Sequence, residues 1–137
     1  MSSMYPQRRV PDFCGLCGQR PKAVYIMMPT QPGRTMDVER GGTAFPHGDG
    51  HGKKDGWVGA SGTSSATPQV AGVVALMIQK ARTKNLTLTS ESIREILENT
   101  CVAVIAGRNA MGFPATGRPS TAVGFGLVNA AAALARV

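Results

Sequence analysis

Acidic side chains are scarce in this sequence. Eight Asp and Glu face fifteen Lys and Arg, giving a formal charge of +7. Aromatic residues are scarcer, with one Trp, two Tyr and four Phe, and they do not alternate with the basic ones. That removes the stacking platform a single-stranded nucleic-acid binder needs. The basic residues lie in short, separate groups (Arg8-Arg9, Arg20 and Lys22, Lys53-Lys54, then Lys80, Arg82 and Lys84), which reads as a solvated surface and not as a nucleic-acid face. No run is long and apolar enough for a membrane-spanning helix. Met1 to Arg9 has no apolar h-region, so no secretory signal is expected there and the compartment stays unassigned. Three cysteines are an odd set and imply no disulfide framework. Histidine occurs only at His47 and His51, and no Asn precedes Asn85. Both of these shortages bear on chemistry below.

What the chain does have is concentrated in Gly62-Thr63-Ser64-Ser65-Ala66-Thr67-Pro68-Gln69-Val70-Ala71-Gly72. Gly62 permits a tight turn because it carries no Cβ. Pro68 is expected in a first helical turn, where its missing N–H has no partner to lose. Val70, Ala71, Val73, Val74, Ala75, Leu76, Met77 and Ile78 then continue with almost no polar interruption. A helix without a polar face is one that must be covered on all sides. Ser64 is thereby set at the positive end of that helix, beside backbone N–H groups that have no helical acceptor. Such a position suits a nucleophile whose attack creates an oxyanion.

This eleven-residue run resembles the Gly-Thr-Ser-x-Ala-x-Pro-x-Val-Ala-Gly nucleophile motif of the subtilisin-like serine peptidases, the subtilases. Ser65 and Gln69 stand where Met and His are usual, and neither position belongs to the catalytic triad. Ala23 to Pro29, followed by Pro32-Gly33, resembles the strand and turn that precede the serine loop. Gly124-Phe125-Gly126-Leu127-Val128-Asn129-Ala130 resembles the segment that closes the catalytic domain. The resemblance runs from about residue 20 to 137. It implies the C-terminal portion of a subtilase catalytic domain over residues 1–137, with 1–19 poorly assigned and 34–55 a Gly-rich insertion loop. It further implies acyl transfer to peptide or protein substrates by Ser64, with the Ser64 N–H in the oxyanion hole. Gly59, Ala60, Ser61, Gly62 and Thr63 would line the substrate site. No metal or cofactor is implied.

The same resemblance exposes what is missing. The subtilisin triad runs Asp, His, Ser along the chain. No Asp-Ser/Thr-Gly or His-Gly-Thr-His segment precedes Ser64, and the family's oxyanion Asn has no counterpart. A completing upstream segment or second chain is therefore expected. His47-Gly48-Asp49-Gly50-His51-Gly52 holds both histidines, yet three glycines argue against a preorganised base.

Two other classes stay open from sequence. One is a non-catalytic structural or interaction remnant. The other is a small zinc module, because Cys14-x-x-Cys17 and His47-x-x-x-His51 have ligand-type spacing. The plain reading of Cys14 and Cys17 is two unliganded thiols near a turn.

The expected architecture is α/β, a partial subtilisin-like doubly wound unit with a buried helix after the nucleophile. Helices are expected over Ser64–Ala81, Ser90–Asn99 and Asn129–Ala135, and strands over Ala23–Met28 and Cys101–Ile105. Gly107 to Thr121 reads as surface loop. So little sheet is too little to cover an apolar helix, and apolar surface should stay exposed.

Overall fold

A computed structural model of the chain describes residues 10–17, 26–42, 50–109 and 111–137. The elements are β1 (Ile26–Pro29), α1 (Thr35–Arg40), β2 (Trp57–Ala60), α2 (Thr63–Thr83), α3 (Ser90–Thr100) and α4 (Ala130–Ala135). They fall into two compact units. One joins Met1–Gly15 to Pro68–Val137, and the other is Leu16–Thr67. The division lies inside α2, between Thr67 and Pro68.

The first unit is built on helices. Met77, Ala81, Leu97, Ala133 and Val137 form its buried cluster, with Phe13, Val73, Val74, Ile93, Ile96 and Leu134 packed around them. Helix α3 starts because Thr89 and Ser92 form a reciprocal capping box, which satisfies two N-terminal N–H groups. Its Ile93, Ile96 and Leu97 recur at helical spacing and turn one stripe to the core, leaving Arg94 and Glu95 exposed. Asn129 caps α4 by accepting from the Ala132 N–H at 3.0 Å. At the other end of α4, Lys80 Nζ donates to the Leu134 carbonyl and Lys84 Nζ to that of Val137, at 2.7 and 2.8 Å.

The closing segment has a backbone reason for its glycines. Leu127 is bridged on one side by Cys14 and on the other by Val102. A Cβ on Gly124 would collide with the Pro11 and Asp12 carbonyl oxygens, and one on Gly126 with the Val102 carbonyl oxygen. Only glycine lets three backbones approach this closely.

The second unit holds the sheet. β1 and β2 pair antiparallel, with Ile26 opposite Ala60, Met27 opposite Gly59, Met28 opposite Val58 and Pro29 opposite Trp57. Asp37, in the first turn of α1, is fully buried. Its Oδ2 accepts the Gly33 N–H at 2.7 Å, and its Oδ1 has no hydrogen-bond partner.

Helices and a small two-stranded sheet make the chain a partial α/β unit. Three local expectations need correction. Residues 34–55 are not all loop, since α1 forms within them. The stretch 101–105 is no strand, because Val102 alone finds a partner, Leu127, and Ile105 is 80% exposed. Pro68 is the sixth residue of α2, not part of its first turn. It therefore withholds the N–H that the Ser64 carbonyl would accept one turn later. Ala23, Val24 and Tyr25 of the expected first strand lie outside the described residues.

The helix after the serine is covered on one side only. Met77 and Ala81 are buried, whereas Ala71, Gly72, Ala75 and Leu76 are exposed. No helix among the described residues is long and apolar enough to cross a membrane.

Candidate active site

β2 delivers the chain to the serine turn. Gly59 is buried, Ala60 half-buried and Ser61 exposed, after which Gly62 adopts φ +143°. That backbone conformation is strained for any residue with a Cβ, which explains why glycine stands there. The Gly62 carbonyl accepts from the N–H groups of Ser65 and Ala66, at 2.9 and 3.2 Å, and so starts α2. Thr63 and Ser64 are the first two helical residues, and both are exposed. Their N–H groups precede any carbonyl one turn back that could receive them. They open a helix of 21 residues, whose dipole adds positive character at this end. Ser64 is thus accessible, adjacent to open backbone donors, and held by a turn of fixed shape. Ser65, next in line, is buried.

The sequence run Gly59 to Ser64 is one continuous strand–turn–helix, all inside the Leu16–Thr67 unit. A strand feeding a glycine turn that opens a long helix is the local architecture a nucleophile at a helix N-terminus requires.

His51 is paired with Asp55. Its Nδ1 lies 3.5 Å from Asp55 Oδ2, and the Asp55 carboxylate also accepts the Gly52 and Trp57 N–H groups, at 2.9 and 3.0 Å. This couple is tied to the first residue of β2, whereas Ser64 follows the last. A four-residue strand spans about 10 Å between its end residues. A general base has to come within about 3 Å of the nucleophile. His47 lies outside the described residues.

Of the four zinc candidates, Cys14 and His51 are engaged with other groups and His47 lies outside the described residues. The Cys14 thiol donates to the Val123 carbonyl at 3.5 Å, and the Cys14 backbone is pinned to Gly126 and Val128. His51 faces Asp55 as described. Among the described residues no group of three His, Cys, Asp or Glu is placed to hold a metal ion. No disulfide joins Cys14, Cys17 or Cys101, and burial pushes the Cys101 thiol up from its ordinary range.

With this geometry in hand, the family can be settled. The model of the subtilase family, Peptidase S8, matches residues 20–126. The chain belongs to the subtilase family. No curated protein and no solved structure matches it. Subtilase membership makes its function serine-peptidase in type, with proteins or peptides as the substrate class.

Proposed function

We propose that this chain is the nucleophile-bearing, C-terminal portion of a subtilase catalytic domain, with Ser64 as the nucleophile. The observation that carries the reading is the exposed Ser64 in the first turn of α2, next to the Thr63 and Ser64 N–H groups. In the reaction, Ser64 Oγ bonds to the scissile carbonyl carbon and its proton passes to a histidine. The Ser64 N–H takes the oxyanion as the tetrahedral centre forms. The histidine then protonates the departing amine, and water releases the acyl group from Ser64. Gly59, Ala60, Ser61, Gly62 and Thr63 are the backbone against which the substrate lies.

The histidine, its orienting aspartate and the oxyanion asparagine are not encoded in this sequence in any recognisable segment. They come from a completing segment or a second chain. The chain alone is accordingly inactive. In subtilisin itself, loss of the triad serine or histidine costs about 10⁶ in turnover.

Two assays test this. The chain by itself should cleave a chromogenic peptide no faster than its Ser64→Ala variant. The chain joined to a subtilase segment with the Asp, His and Asn motifs should cleave it, and Ser64→Ala should abolish the gain. Ser64-dependent turnover by the lone chain would overturn the need for completion. A joined, folded protein with no Ser64-dependent turnover would overturn the assignment of the nucleophile.

A further inference from the structure

The turn that joins α2 to α3 has a fixed backbone and three exposed residues in a row. Asn85 takes φ +55°, the left-handed conformation in which helices commonly end. Its N–H donates to the Arg82 carbonyl at 3.1 Å, and the Leu86 N–H reaches back to the Ala81 carbonyl at 2.9 Å. These two bonds make a Schellman motif, so α2 is closed by backbone alone. Asn85, Leu86 and Thr87 are all exposed. Among the described residues, no hydrogen bond engages the Asn85 amide or the Thr87 hydroxyl.

The other asparagines are placed differently. Asn99 Nδ2 donates to the Glu95 carbonyl, Asn109 Oδ1 accepts the Met111 and Phe113 N–H groups, and Asn129 Oδ1 accepts that of Ala132. Each of those side chains has structural work, whereas the Asn85 amide is left to solvent. Asn85-Leu86-Thr87 is also the only place in the sequence where Asn is followed, two residues on, by Ser or Thr. That pattern, with any residue but Pro in the middle, is the acceptor signal for N-linked glycosylation. A left-handed helix end accounts for Asn at 85, but it asks nothing of position 87.

We propose that Asn85 is an N-glycan acceptor, modified where a membrane-bound transferase meets a lipid-linked oligosaccharide diphosphate. In that step Asn85 Nδ2 bonds to C1 of the first sugar, and the C1–O bond to the diphosphate breaks. The lipid diphosphate leaves with the bonding electron pair, and the amide gives up one proton. Thr87 completes the signal the transferase reads. The site tolerates bulk, because residues 83–87 are exposed throughout. A bulky, solubilising sugar here shields Leu86, which is 52% exposed.

The test is translation of the whole chain behind a cleavable secretory leader with endoplasmic-reticulum microsomes present. Uptake is fixed first, by protection from added protease. Among protected chains a slower-migrating band is expected, and peptide N-glycosidase should collapse it. Asn85→Gln and Thr87→Ala should abolish the band, while Thr87→Ser should keep it. Asn85→Gly preserves the left-handed turn and should still lose the band, which separates acceptor from helix end. Protected chains without the band overturn the proposal, and so does a band that survives Asn85→Gln. None of these readings needs turnover, so they bear on Asn85 independently of Ser64.

Discussion

The two units of this chain keep their shape by different means. In the helical unit, side chains from three helices close over Met77, and Leu127 is clasped between Cys14 and Val102. In the Leu16–Thr67 unit, a pair of four-residue strands, one six-residue helix and a glycine turn carry the serine. Two strands alone are marginal in water. The buried helical cluster and the serine turn are therefore separated along the sequence, and the glycines and caps divide the same way. Gly124, Gly126 and Asn129 are explained by packing and capping. Gly62 is explained by its φ of +143° and by the carbonyl with which it starts α2, and Ser64 stands exposed in that first turn.

Substitutions can break or sharpen this contrast. The largest effect is expected from Gly126→Ala. It sets a Cβ at φ +117° and against the Val102 carbonyl oxygen, so the clasp around Leu127 cannot close. A thermal melt should lose its cooperative transition, while amide exchange at Val58 and Gly59 should change little. If exchange in β2 rises equally, the two units do not behave separately. Met77→Ala should cost about 2–5 kcal/mol, the range for a large buried side chain, read from urea midpoints. In the other unit, Asp37→Ala leaves the Gly33 N–H without its carboxylate and should cost about 1–3 kcal/mol. Its effect should show as faster exchange of the Gly33 amide, with the helical core unmoved. Thr89→Ala removes half of the α3 capping box and should cost about 1 kcal/mol, seen as a lower melting temperature.

The smallest effect concerns pH. Burial raises the folded Cys101 thiol above its unfolded value. Its contribution is then complete below the unfolded thiol value, near 8.5, and is lost as pH rises through the raised folded value. Cys101 should also react with a thiol reagent later than Cys14 and Cys17. The check is a Cys101→Ala chain, whose stability should fall less steeply over that alkaline window.

Much of this was legible from the residues. Periodicity and caps place α2, α3 and α4 within two residues of their observed ends, and the tight turn at Gly62 is found where the motif puts it. What escaped has identifiable causes. α1 is six residues long, too short to show an apolar period, and the glycines around it suggested loop. β2 holds Gly59 and Ala60, poor strand formers, and is a strand because β1 pairs with it. Residues 101–105 look like a strand by composition, but partners decide strands, and only Val102 found one. Pro68 is expected in the first helical turn, but Gly62 starts α2 early enough to leave Pro68 in the second.

Lys80 and Lys84 bear on how this protein should be handled at the bench. Their amines are occupied by the Leu134 and Val137 carbonyls, whereas Lys53 and Lys54 sit exposed in a loop. Amine-directed labelling should mark the loop pair first. Acetylation driven on to Lys80 and Lys84 would neutralise the two ammonium donors that close α4, loosening the end of the chain without altering a single residue of its apolar core.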